Sequence, residues 1–228
     1  MIKSYLLLPF LFLTTFELLS QNDNYPFEKT VINIGLSVGP SYNSIRGTSA
    51  ANYAERYEAT LNYFAGISLE VKISDKVSLL TNINYENKIF RKEFETIRLL
   101  PVEEPIDVRE KLELEFLSFP FLSRIYLGPE NNLFVNGGIY YNMLLNVSHE
   151  YIVLNTGEDL SFRDYSVYFR EYDFGLSFGL GMQYPVNQNN ISIEIRYDYG
   201  LSNFSKLGLF NSTRINTIKL IANYSFSL

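Results

Sequence analysis

The sequence predicts an all-β fold, a transmembrane up-and-down antiparallel β-barrel of about eight strands that follows a cleaved signal peptide. Three observations carry that reading. Apolar and polar residues alternate strictly over long runs, the period of a strand with one apolar and one polar face. The runs are about twice the usual soluble strand of 5–6 residues, and they match the tilted strand of roughly 9–11 residues, plus its ends, that crosses a bilayer. Connections alternate long and short, as in outer-membrane barrels with short periplasmic turns and long external loops.

Composition agrees. The chain has 228 residues, 46% of them hydrophobic, yet its mean hydropathy is −0.03. That excludes a bundle of apolar helices, while a barrel whose every second residue faces the lumen has this muted signal. Tyr and Phe number 18 each and Trp is absent. A net charge of −6 argues against a nucleic-acid partner. Without cysteine there are no disulfides, no cysteine-based metal site, no thiol nucleophile and no lipidated amino-terminal cysteine.

Residues 1–20 carry Lys3, an apolar core and Ser20, and read as a secretory signal. Pro9 and Glu17 interrupt them, so they make a poor spanning helix. Residues 21–30 are a short polar periplasmic lead-in, and 31–228 form the barrel. The first strand places Ile32, Ile34, Leu36 and Val38 opposite Asn33, Gly35, Ser37 and Gly39. A polar loop is expected at 44–60. Leu61, Tyr63, Ala65, Ile67, Leu69, Val71 and Ile73 share the apolar face of the second strand. A tight turn at 74–76 leads to the third, where Val77, Leu79, Ile83, Tyr85 and Ile89 oppose Asn82, Asn84, Glu86 and Lys88.

A long charged connection is expected at 91–111. The fourth strand is the least regular, with Leu117, Phe119, Phe121, Ile125 and Leu127 on one face and Pro120 and Arg124 on the other; the proline suggests a bulge at that point. After a turn at 128–132 the fifth strand presents Leu133, Val135, Ile139, Tyr141, Met143 and Leu145 outward. A third long loop is expected at 149–172. The sixth and seventh strands, joined near 185–190, are the most regular. Phe174, Leu176, Phe178, Leu180, Met182 and Tyr184 oppose Asp173, Gly175, Ser177, Gly179, Gly181 and Gln183. Ile191, Ile193, Ile195, Tyr197, Tyr199 and Leu201 then oppose Ser192, Glu194, Arg196, Asp198, Gly200 and Ser202. A loop at 204–213 precedes the last strand, with Ile218, Leu220, Ala222, Tyr224, Phe226 and Leu228 on its apolar face. The even strand number puts both barrel ends in the periplasm.

Alternation alone does not separate a membrane barrel from a soluble one. Aromatics near strand ends do. Tyr63, Tyr85, Tyr141, Phe174, Tyr197 and Tyr199 fall toward the loops, and Tyr184, Tyr224 and Phe226 toward the turns, at the two levels of an interfacial girdle.

The runs FLSFPFLSRIYLG, DFGLSFGLGMQY and ISIEIRYDYGLSN resemble the PorT-like outer-membrane β-barrel family. The likeness covers residue 31 onward and is most specific after residue 116, with Arg196, Tyr197, Asp198, Tyr199, Gly200 and Leu201 in the matching segment. It implies the cell outer membrane, the Gram-negative envelope and, for some members, a role in secretion. It carries over no catalytic residue.

Glu70, Lys72, Glu86, Lys88, Arg124, Glu194, Arg196, Asp198 and Lys219 fall on the polar faces, with both signs on neighbouring strands. They form a candidate lumenal charge network, whose alternative role is a selective channel or proton path. A barrel of about eight strands is just wide enough for side chains to fill it, which favours packing over a narrow pore. His149, the single histidine, reads as a solvated loop residue; a triad with Ser148 and Asp164 lacks any nucleophile-elbow pattern. Glu103, Glu104, Asp107 and Glu110 read as a solvated loop face, with a divalent cation bridged to lipopolysaccharide as the sharper alternative. The expectation is therefore a non-enzymatic barrel without cofactor or metal. Its expected partners are outer-membrane lipid, lipopolysaccharide and envelope or secretion proteins. The competing expectations are a barrel enzyme acting on lipid or peptide, and a narrow pore.

Overall fold

A computed structural model of the chain describes residues 31–46, 58–96, 106–154, 162–163, 169–206 and 213–227; the expected signal segment and lead-in lie outside these. The strands are β1 Ile32–Arg46, β2 Thr60–Ser74, β3 Val77–Thr96, β4 Ile106–Leu127, β5 Leu133–Val153, β6 Phe162–Arg163, β7 Tyr172–Val186, β8 Asn189–Gly200 and β9 Arg214–Ser227. Each long strand pairs antiparallel with the next, from β1 through β5 to β7, β8 and β9. β9 then pairs with β1, so eight strands close into a ring. Closure leaves no sheet edge within the wall, the condition for a β structure to cross hydrocarbon. The two-residue β6 lies against the outer end of β5.

The alternation has the expected sense. Leu36, Leu180 and Ile195 are about 60% exposed on the outer surface (62%, 60% and 61%), while Asn33, Ser37, Asn82 and Ser177 are buried in the lumen. The short turns are tight. β7 and β8 are joined by Asn187 and Gln188 alone, and Asn187 takes the left-handed conformation (φ 58°) that Asn tolerates better than most residues.

Three expectations about the external side need correction. The connection expected at 91–111 is largely strand: β3 continues to Thr96 and β4 starts at Ile106, paired from Arg91↔Lys111 to Thr96↔Ile106. The loop expected at 149–172 begins only after Val153, and β1 runs on to Arg46 where a loop was expected from residue 44. No bulge occurs at Pro120. Its neighbours keep one register against β3 (Thr81↔Phe121, Asn84↔Ser118), and Pro120 itself stands opposite Tyr140. The bulge is at Leu145, which falls between the pairs Glu115↔Asn146 and Phe116↔Leu144. Proline removes one ladder donor without adding a residue, so the strand can pass through in register.

Above that bulge β3, β4 and β5 extend beyond the rest of the ring, and the polarity of β4 inverts. Below it β4 turns Leu117, Phe119 and Phe121 outward; above it Glu115, Glu113, Lys111 and Arg109 take the outer face. The inner face changes in the opposite sense, from Arg124 and Ser118 to Phe116, Leu114 and Leu112. A wall with apolar outside and polar inside suits lipid, and the inverse suits water. The inversion therefore marks where these strands leave the bilayer.

Candidate functional site

The lumen is filled in layers. Nearest the short turns, the Arg124 guanidinium lies 3.2 Å from Glu70 Oε2 and 3.5 Å from Glu194 Oε2, donates through Nε to Asn136 (3.0 Å), and stacks 3.9 Å from the Phe134 ring centroid. Arg196 pairs with Glu194 through two bonds, Nε to Oε1 at 2.6 Å and Nη2 to Oε2 at 2.9 Å. Tyr126 donates its hydroxyl to Glu70. Gly179 makes room for this cluster: a Cβ there would stand 2.2 Å from Glu194 Oε1. The cavity among Glu70, Arg124, Glu194 and Arg196 measures about 10 Å³, room for roughly one water.

The next layer joins Lys219 to Glu86 and, at 2.8 Å, to Asp198, with Lys88 3.4 Å from Glu86. Ser177 donates to Asp198 (2.6 Å), and Asn142 and Ser202 donate to Asp173. Eight of the nine charges expected to share the lumen thus stand in two ion-paired layers. Lys72 faces the same side but makes no ion pair among the described residues; its Nζ is 5.8 Å from the Tyr126 ring centroid. Sequence reasoning missed Tyr126, Phe134 and Asn136, which complete the layers. Their signal was only a polar-face parity that they share with Arg124.

Above the charges sits an apolar plug that no reading of strand faces anticipated: Phe90, Leu112, Leu114, Phe116, Val147, Phe204 and Ile215, with Ile45, Leu144 and Phe169 against it. The signal was present in Leu112, Leu114 and Phe116, whose parity is opposite to that of Leu117 and Phe119.

Beyond the plug the Leu145 bulge swings Val147 and His149 inward. His149 is not a solvated loop residue but a strand residue, 7% exposed, with Nε2 2.5 Å from Glu110 Oε1. Glu110 is likewise buried, and Lys92 lies 4.0 Å from its other oxygen. Ser148 faces outward, so consecutive Ser148 and His149 occupy opposite faces of β5 and cannot meet as nucleophile and base. Asp164, Glu103 and Glu104 lie outside the described residues, and Asp107 is exposed. Among the described residues no group of three or more His, Asp or Glu side chains is placed to hold a metal.

On the outer face of the extension Lys111 lies 3.0 Å from Glu113 and 3.3 Å from Glu150, and Arg109 2.7 Å from Glu93. Burial alone would lower the Lys111 ammonium, but the two carboxylates outweigh it and raise its pKa above the ordinary value. Burial pushes the Glu113 carboxyl up, and hydrogen bonds from Asn87 and Lys111 reverse that, leaving it below the usual range. The nine aromatics expected at the girdle all point outward. Tyr63, Tyr85, Tyr141, Phe174, Tyr184, Tyr197, Tyr224 and Phe226 are each over a third exposed, and Tyr199 is half-buried.

Residues 19–206 match a family profile described as an outer membrane protein beta-barrel domain. The chain belongs to that family. It is a protein of the outer membrane, a small eight-stranded member of this barrel class. Solved structures similar to this family member include Ail of Yersinia pestis in complex with the heparin analogue sucrose octasulfate. That structure is 13% identical, with a TM-score of 0.40, over 86% of this chain and 99% of Ail. OprG of Pseudomonas aeruginosa is 15% identical, with a TM-score of 0.39, over 86% and 95% of the two chains. The outer membrane protease OmpT of Escherichia coli is 8% identical, with a TM-score of 0.40, over 90% and 99%. No curated protein sequence matched the chain.

Proposed function

We propose that this barrel is a non-enzymatic surface platform of the PorT-like kind, an accessory to protein secretion whose external strands meet partner proteins. One observation carries the reading: the lumen is filled by two charged layers and an apolar plug, while β3, β4 and β5 continue past the plug into water. Side chains that occupy the interior leave no room for a diffusing solute, so a role at the external surface is favoured over conduction. Against catalysis stands the division of Ser148 and His149 between two faces, with His149 enclosed beside Glu110. The secretion role rests on the resemblance around Arg196 to Leu201.

The test replaces Lys92–Glu110 with a short turn and compares cross-linked partners from native membranes with those of the intact barrel. The platform reading expects the partners to disappear while heat-modifiable migration shows that the barrel still folds. Unchanged partners, or steady conductance of the intact protein in planar bilayers, would overturn it.

A further inference from the structure

We propose that Arg46 and Arg214 form a binding site for the phosphate of a lipid headgroup in the outer leaflet, of the lipid A type. The two arginines are direct cross-strand partners at the outer ends of β1 and β9. Both fall on the outer face: Tyr42 and Ile218, on the same faces of the two strands, are 49% exposed each, and inward-facing Asn43 and Thr217 are buried. Side chains directly opposite each other in an antiparallel pair have Cβ atoms about 4.5–5.5 Å apart, and like charges placed so are destabilising unless something neutralises them.

Among the described residues nothing does. Arg46 donates to the Tyr199 hydroxyl (2.5 Å) and to the Gly200 carbonyl (3.0 Å), and its guanidinium lies 4.2 Å from the Tyr199 ring centroid. None of those partners carries a negative charge. Arg214 makes no ion pair or side-chain hydrogen bond among the described residues, and the Nε atoms of both arginines are enclosed without an acceptor. On the other side of the ring the basic residues are treated differently: Arg109, Lys111 and Lys92 each stand beside a carboxylate. Among the described residues the basic pair is thus a local excess of positive charge on a chain whose net charge is −6.

Its height suits a headgroup. Arg46 follows Tyr42, whose ring faces lipid, by four residues. At about 3.3 Å per residue and a tilt near 45°, that sets it roughly 9 Å further out along the membrane normal. This is the level at which Arg side chains meet lipid phosphates. Two guanidiniums presented side by side match the oxygens of a phosphate monoester, which accepts paired N–H donors from each fork. The Tyr199 ring and hydroxyl hold Arg46 in place for it. Glu110, one member of the acidic segment read as the alternative contact for lipopolysaccharide through a divalent cation, is engaged by His149 and Lys92 instead.

The inference rests on the membrane placement of the barrel and not on its having a protein partner. Native mass spectrometry of the folded barrel, released from detergent micelles, tests it with three probes: lipid A, dephosphorylated lipid A and inorganic phosphate. Retention of lipid A is expected to fall by at least about tenfold when the phosphates are removed, or when Arg46→Gln and Arg214→Gln are combined. Arg214→Gln alone, which breaks no side-chain bond among the described residues, should account for much of that loss, and Arg214→Lys should lie between. Equal retention of lipid A with and without phosphates, or by wild type and the double variant, overturns the site. Inorganic phosphate bound as well as lipid A overturns the lipid assignment, leaving a site for soluble anions. Partner cross-linking that survives in the double variant separates this site from the platform role.

Discussion

At the scale of single residues, the most constrained groups are charges without access to bulk water. Arg196 is 2% exposed and Glu194 3%, and two short bonds join them. Removing one partner of such a pair strands the other in low dielectric, at a typical cost of about 3–5 kcal/mol. Arg196→Met should therefore lower stability strongly in urea unfolding from lipid vesicles, and Glu194→Gln in the same chain should restore part of the loss. A double-mutant cycle with coupling near zero would show that the pair is solvated. Outside, the governing solvent is lipid. Leu180 is 60% exposed on the mid-wall of β7. Leu180→Arg should cost about 2–4 kcal/mol in the same assay, and Leu180→Phe much less. Equal costs would mean that this face is not against hydrocarbon.

At the scale of elements, β3, β4 and β5 behave as two structures in series. Their lower halves are membrane wall, and their upper halves are a sheet whose inner face is apolar at the plug and carries His149, Glu110 and Lys92 beyond it. Leu114 is fully buried in the plug. Leu114→Ala should cost about 2–5 kcal/mol, as for other large-to-small core changes. The loss should appear as faster amide exchange at Arg109–Phe116 with little change in β7 and β8; uniform acceleration would mean that the extension does not unfold separately. The outer face of the same element has its own pH dependence. Glu113 has a lowered folded-state pKa, so its contribution is present above the ordinary carboxyl value of about 4.3 and is lost as pH falls through the folded value. Lys111 has a raised one, so its contribution is complete below about 10.4 and is lost only above that. Protection of the extension should thus be flat between roughly pH 5 and 10 and decline below pH 4. Both groups are partly exposed, so the change is modest. Glu113→Gln should flatten the acid limb, and an unchanged limb would assign it elsewhere.

At the scale of the whole molecule, ring closure sets the topology. The turns at Asp75–Lys76 and Asn187–Gln188 lie at one end, and the extended strands reach beyond the other. A cysteine at Glu93, whose side chain is 57% exposed, should react with a membrane-impermeant maleimide on intact cells. Cysteines at Asp75 and Gln188 should react only after the outer membrane is permeabilised. The reverse pattern would invert the barrel. Arg46 and Arg214 belong to this scale too, because β1 and β9 become neighbours only when the first and last strands meet.

The sequence by itself determined the strands and their outward face. Period-2 alternation is a local property, and a lipid-facing wall repeats it without exception from Phe174 to Tyr184. What it left open were relations between strands. Lys219 and Glu86 are far apart in the chain, and their pairing depends on the stagger accumulated around the ring. The change of parity between Phe116 and Leu117 has two possible causes, an inserted residue or a change of outside solvent, and one strand cannot distinguish them. The structure shows both at once: β4 passes through unbroken with its faces inverted, while β5 absorbs an extra residue at Leu145. That bulge turned His149 from an expected loop residue into a buried partner of Glu110. The proline at 120 misdirected the reading because a missing donor is visible in one strand, whereas a bulge exists only between two.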